Sequence, residues 1–264
     1  MNEEDILIDN LSVVSVFIEM YFNENRLATG SAFFVERNNE KYLVTNWHNL
    51  SGRNSNTIEP LDKTNAAIPN KIRVYHHDLE NLGNVIPEDY NLEDQNGQAL
   101  WMEHPIHTNK VDIAILPMIG ENNNIYTIEQ AIKESDPYEA WPIEVSEKLY
   151  VLGYPFGITA SDYFPIWKAA TIASEPKINI DNLPKFYIDT ATKQGMSGSI
   201  VIQKERRSVA IIEQQQITSR FRVNFLGVYS GRVTEPQNQF DTQIGIVWKE
   251  YCIDEILEGK QFYV

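Results

Sequence analysis

The stretch Gly195-Met196-Ser197-Gly198-Ser199-Ile200-Val201-Ile202 decides how the rest of the chain is read. Glycines on both sides of Ser197 permit a tight turn with backbone angles that other residues rarely adopt. Such a turn aims the N–H groups of Gly195 and Ser197 at one point, as stabilising an oxyanion requires. The residues that follow are apolar and β-branched, and predict a strand. A serine opening a helix would point to the strand–turn–helix elbow of an α/β sheet. Here the serine opens a strand, so the pattern differs from that elbow.

Working outward, short apolar runs bounded by turn residues recur at 12–20, 30–36, 42–45, 72–75, 112–117, 148–153, 168–173, 186–189, 199–203, 208–212, 225–229 and 243–247. That many short strands predict an all-β barrel or sandwich. Helical spacing is clear only over 248–257, where Trp248, Cys252, Ile253, Ile256 and Leu257 share a face and Gly259 follows. Weaker helical patterns lie at 127–134 and 145–147. Residues 51–70 and 81–97 read as long polar surface loops, and the acidic stretch 121–142 reads as a connector. His76-His77, after a strand and before Asp78, reads as a turn.

The chain has 264 residues and a formal net charge of −15. A surface that acidic repels phosphate backbones and anionic lipid, which argues against non-specific nucleic-acid or membrane binding. The run 11–22 is interrupted by Glu19 and is too short to span a bilayer. The N-terminus carries Glu3, Glu4, Asp5 and Asp9 where an export signal would carry Lys or Arg. Cys252 is the single cysteine, so no intramolecular disulfide forms. A soluble, cytoplasmic protein is expected.

Two further patterns carry chemistry. In Tyr42-Leu43-Val44-Thr45-Asn46-Trp47-His48 an apolar strand ends in a short polar turn and a histidine. Rigid backbone can hold that imidazole in a cleft, and its ordinary pKa of about 6.5 suits proton transfer near neutrality. In Val111-Asp112-Ile113-Ala114-Ile115-Leu116 an aspartate opens an apolar strand. A carboxylate at the edge of a core needs a partner, and a histidine N–H is a suitable one.

The order His48, Asp112, Ser197, each in these contexts, resembles the chymotrypsin-like serine peptidases. Among them the chain most resembles bacterial members without disulfides, such as the heat-shock trypsin-like proteases and the glutamyl endopeptidases. The resemblance runs from about residue 14 to 257. It extends to Gly30-Ser31-Ala32-Phe33-Phe34-Val35 before the histidine and to Leu152-Gly153-Tyr154-Pro155-Phe156-Gly157 at the opening of the second barrel. Phe225-Leu226-Gly227-Val228-Tyr229-Ser230-Gly231 resembles the strand that pairs with substrate backbone, and Ile244-Gly245-Ile246-Val247 the final strand before a terminal helix.

The resemblance implies two packed antiparallel six-stranded β-barrels with a C-terminal helix. Residues 1–121 would carry His48 and Asp112, residues 122–143 would connect, and residues 144–264 would carry Ser197. It implies a serine endopeptidase with Ser197 as nucleophile, His48 as general base, Asp112 as its orienting carboxylate, and Gly195 and Ser197 amides as the oxyanion hole. Ser230 would lie beneath the aspartate. Ala191, Thr192, Tyr229, Ser230, Gly231, Arg232 and Gly245 would contact substrate. No acid stands at the pocket base, which disfavours Lys or Arg; Arg232 could favour an acidic side chain, and a small or medium apolar one is the leading expectation. No metal or organic cofactor is implied. The partner would be a protein or peptide substrate, with the loops in 51–108 available to a protein partner. Met196 stands where secreted digestive enzymes carry an aspartate that pairs with a freed N-terminus, so activation by that route is not expected. The competing reading is a catalytically silent peptide-binding or scaffold module on the same fold. His104, His107 and Glu103 superficially suggest a metal site, but the spacing is incomplete and a loop near the cleft is expected instead.

Overall fold

The computed structural model describes residues 8–120, 122–133, 142–191, 195–211, 216–233 and 243–263, without the side chains of 162, 207–211 and 216–220. The first six strands are β1 (Ser15–Phe22), β2 (Asn25–Arg37), β3 (Glu40–Thr45), β4 (Lys71–His77), β5 (Val85–Asn91) and β6 (Ala114–Pro117). They form one antiparallel sheet in the order β5-β4-β1-β2-β3-β6. Alternation along β1 sends Val16, Ile18 and Met20 into a core with Phe34, Leu43, Ile72, Val74 and Leu116.

The second six are β7 (Lys148–Gly153), β8 (Ile166–Ile172), β9 (Lys185–Asp189), β10 (Ile200–Ile211), β11 (Gln216–Arg232) and β12 (Ile244–Lys249). They close into a barrel, β10-β11-β12-β9-β8-β7, sealed where Ile200, Val201 and Ile202 pair with Leu152, Val151 and Tyr150. Met196, Val201, Leu226, Tyr229 and Val247 fill its interior. A third core joins the two halves: Phe33, Val44 and Ile115 meet Leu152, Ile202 and Phe225, together with Cys252, Ile253 and Ile256 of the terminal helix.

The two halves therefore differ. The second is a closed barrel, whereas in the first, among the described residues, the edge strands β5 and β6 do not pair. Of the two expected six-stranded barrels, one is closed and the other six strands form a sheet. The reason lies in β5, Val85-Ile86-Pro87-Glu88-Asp89-Tyr90-Asn91, which is mostly exposed. Pro87 cannot donate to a ladder and belongs on an edge. The same strand corrects the reading of 81–97 as a loop. It pairs with β4 from Lys71↔Asn91 to His77↔Val85, and Arg73 grips Asp89 in a bidentate ion pair at 2.6 and 2.9 Å.

Among the described residues four short α-helices complete the fold: α1 (Leu11–Val14), α2 (Trp47–Ser51), α3 (Ile128–Lys133) and α4 (Tyr251–Gly259). The predicted terminal helix starts three residues late, because Trp248 remains in β12 opposite Val228 and Lys185. Residues 145–147 form a turn, with Ser146 at φ 72°. Of the 208–212 run, residues 208–211 continue β10 into a long hairpin with β11, and residue 212 lies outside the described residues. His76 and His77 end β4 and are buried, stacked on Phe34 and Phe164 respectively. Beyond α4 the chain returns to the first sheet. Gln261 O accepts from Glu103 N at 2.9 Å, and Tyr263 stacks on Trp101 at 4.5 Å. Among the described residues no helix is long and apolar enough to cross a membrane.

Candidate active site

His48 is presented by a rigid corner. β3 ends at Thr45, Asn46 turns the chain in extended conformation, and α2 makes a single turn that Gly52 stops at φ 62°. Trp47, 2% exposed, anchors that turn by donating its Nε1–H to Glu103 Oε2 at 2.8 Å. Asp112 sits just before β6 and is 3% exposed. Its Oδ1 accepts from His48 N at 2.9 Å, and its Oδ2 faces His48 Nδ1 at 2.7 Å. Ser230 Oγ donates to the same Oδ2 at 2.7 Å, and Asn46 Nδ2 donates to the Asp112 carbonyl at 2.6 Å. A buried carboxylate held by three donors is compensated for lost solvent. Because the carboxylate accepts, Nδ1 carries the imidazole proton and Nε2 is left with its lone pair. Burial pulls the His48 pKa down, but the charge of Asp112 and its hydrogen bond together outweigh it. The net shift is upward from the ordinary 6.5.

The Ser197 turn is built on glycine geometry. Gly195 has φ +93° and Gly198 φ +84°. A Cβ on Gly198 would stand 2.1 Å from Ser31 O, and one on Gly195 2.4 Å from Tyr154 O. Two carbonyls of the turn are gripped from β2. Ser31 N donates to Ser197 O, and Ser31 Oγ donates to Gly195 O, each at 2.9 Å. Ser31 Oγ also accepts from Tyr154 N at 3.1 Å, while Ser31 O accepts from Thr45 Oγ1 at 2.8 Å. Asn49, one residue past His48, donates to Thr45 Oγ1 at 2.9 Å and to Ser197 O at 3.4 Å. On the other side Gly198 N donates to Tyr229 O at 3.0 Å. Among the described residues no hydrogen bond joins Ser197 Oγ to His48 Nε2, and the amides of Gly195 and Ser197 donate to no protein acceptor.

Ser31, Thr45, Asn46 and Asn49 were not assigned roles from sequence, although Ser31 lies in a motif the resemblance quotes. The available signal was a cluster of small polar residues flanking an apolar strand, and only tertiary contact shows that they are buried. Ser31→Ala is expected to strand the buried Gly195 carbonyl and Tyr154 amide, at a cost of about 1–3 kcal/mol. Thermal unfolding measures that loss. Turnover should fall more than substrate affinity, because the hydroxyl holds the turn and faces away from the cleft.

Of the residues expected to contact substrate, Ala191 is exposed beyond β9, and Thr192 lies outside the described residues. Tyr229 and Gly245 meet closely: a Cβ on Gly245 would stand 2.7 Å from Tyr229 Cε2. Ser230 turns toward Asp112, and Gly231 and Arg232 ladder with Ile246 and Gly245.

His104 lies in the loop that follows Glu103. It is buried against α4, its Nε2 2.9 Å from Glu255 Oε2 and its Nδ1 accepting from the amides of Ile106 and His107. These bonds tie the 103–107 loop to the terminal helix, while Glu103 of the same loop meets Trp47 beside His48. Among the described residues no group of three or more His, Cys, Asp or Glu could hold a metal ion. A cavity of about 530 Å³ lies behind α2, lined by Leu50, Ile68, Pro69, Leu92, Trp101 and Tyr263 among others. The loops 51–70 and 81–97 thus help enclose it; His48, Asp112 and Ser197 do not line it.

Residues 30–211 match the family of the trypsin-like peptidase domain, and the chain belongs to that family, a serine-type hydrolase. No curated protein matches it in sequence. Among solved structures it is similar to the inactive form of the Rv3671c protease of M. tuberculosis H37Rv, with 19% identity and a TM-score of 0.47 over 94% of this chain and 88% of that one. It is also similar to a serine endoprotease from Yersinia pestis, with 14% identity and a TM-score of 0.48 over 97% of this chain and 67% of that one.

Proposed function

We propose that the chain is a serine endopeptidase working through Ser197, His48 and Asp112. The observation that carries this reading is the double engagement of His48 by Asp112, at its backbone N and at Nδ1. It leaves Nε2 as the basic nitrogen on a fixed ring. Substrate binding brings Ser197 Oγ against Nε2, which takes the hydroxyl proton as the oxygen attacks a peptide carbonyl. The amides of Gly195 and Ser197 receive the oxyanion, at about 3 kcal/mol for each donor in comparable sites. His48 then gives its proton to the leaving amine, and water repeats the cycle on the acyl-enzyme. Residues 1–121 and 144–264 supply the two sides of the cleft on this reading.

The closeness of Tyr229 to Gly245 supports a short primary pocket suited to a small or medium apolar side chain. Cys252, the single cysteine, is buried and free, which fits a reducing compartment such as the cytoplasm. The competing reading, a peptide-binding module with a silent triad, draws on the missing Ser197–His48 hydrogen bond. A labelled fluorophosphonate separates the two. Covalent labelling is expected in the wild type, abolished by Ser197→Ala; a folded wild-type protein that takes no label would favour the binding module.

A further inference from the structure

We propose that Phe156 forms an apolar subsite for the residues that follow the scissile bond, so that favoured substrates carry a large apolar side chain at the first or second position after the cut. This deepens the peptidase reading above and rests on it. The segment Pro155–Gly157 is a single 3-10 turn directly after β7, and Phe156 stands in it at φ 55°, ψ 22°. A bulky residue in that left-handed region is strained, whereas glycine would hold the turn without strain. Burial does not account for the phenylalanine either, since its side chain is 62% exposed and Ile158 is 54% exposed. Strained residues that the surrounding structure holds in place concentrate where ligands are gripped.

The position of the turn says which part of a substrate it would meet. A Cβ on Gly195 would stand 2.9 Å from Phe156 N and 3.3 Å from Gly157 N. The backbone of Phe156 therefore lies against Gly195, whose amide is assigned to the oxyanion. On its far side a Cβ on Gly157 would stand 3.6 Å from Thr29 Oγ1 and 3.7 Å from the Phe17 ring, so the turn reaches across to β2. The Ser197 turn lies between β11, held through Gly198 N to Tyr229 O, and β2, held through Ser31 N to Ser197 O. The ladder of β10 on β11 ends at Ile200↔Val228, which opens the β11 edge beside Ser230 and Gly231 to an incoming strand. An acyl half paired there sends the leaving half out on the β2 side, over Phe156, with Phe17 and Thr29 as the base of the subsite.

The test is a set of otherwise identical peptides with Leu, Phe, Gly or Asp at the two positions after the cleaved bond, given to wild type, Phe156→Ala and Phe156→Gly. Wild type is expected to prefer Leu or Phe over Gly by about tenfold in kcat/KM, the scale of one apolar contact. Both variants should flatten that preference to about twofold. Phe156→Gly removes the strained side chain, so it should fold as well as wild type and keep the comparison clean. A preference that survives in both variants, or no preference in the wild type, overturns the subsite while leaving the peptidase reading intact. Failure of the wild type to take the fluorophosphonate at Ser197 overturns the peptidase reading, and the subsite with it.

Discussion

Ser197→Ala is expected to lower peptidase turnover by about 10⁴-fold or more, because nucleophile, base and orienting acid act as a unit. The same substitution should leave the thermal midpoint nearly unchanged. The Ser197 side chain is half-buried, its hydroxyl makes no hydrogen bond among the described residues, and the turn is held through its carbonyls and glycines. Activity and stability are thereby separated at one atom. The measurement is hydrolysis of a peptide library by wild type and variant side by side, with circular dichroism and melting as controls. Equal cleavage by both proteins would remove Ser197 from the chemistry.

Asp112→Asn should cost a comparable factor, about 10⁴-fold in kcat, by favouring the wrong imidazole tautomer. The amide preserves the shape but presents either a donor or a neutral acceptor to Nδ1, and Ser230 and His48 N lose a charged partner. The pH profile gives a second readout. Catalysis needs His48 neutral, and its pKa lies above 6.5 because of Asp112, so the acid limb of wild-type kcat/KM should lie above that value. Without the charge, burial is left to pull the pKa down, and the residual activity of Asp112→Asn should have its acid limb at lower pH. The linkage to stability has the matching sign. A histidine whose folded pKa is raised contributes stability that is complete below about pH 6.5 and lost as pH rises through the folded value. An acid limb that does not move would show that Asp112 does not set the charge of His48.

The second barrel was the more legible half because its strands carry their own signal. Lys148–Gly153 is an apolar run bounded by turn residues, and β7 has those limits. The helical face of Cys252, Ile253 and Ile256 was likewise visible, though Trp248 at its start packs equally well from a strand. β5 was not legible, since an edge strand with one partner and two solvated flanks needs no apolar alternation. For the site, His48, Asp112 and Ser197 stood out through residue type and local pattern. Ser31, Asn46 and Asn49 did not, because small polar residues become informative only when a second segment buries them. Asn46 is fully buried and finds its partner 66 positions away.

The return of the chain to the first sheet has a consequence for the order of events at the ribosome. Gln261 meets Glu103 through its carbonyl and its side-chain amide, and the Glu103 carboxylate in turn receives the indole of Trp47, next to His48. Tyr263 closes over the same indole at 5.9 Å. The corner that presents the base is therefore clamped by residues synthesised more than two hundred positions after it. A nascent chain that has already exposed Thr45–Ser51, and even Ser197, still lacks this clamp. The bracing of the corner that presents His48 is complete only when residues 261–263 are in place.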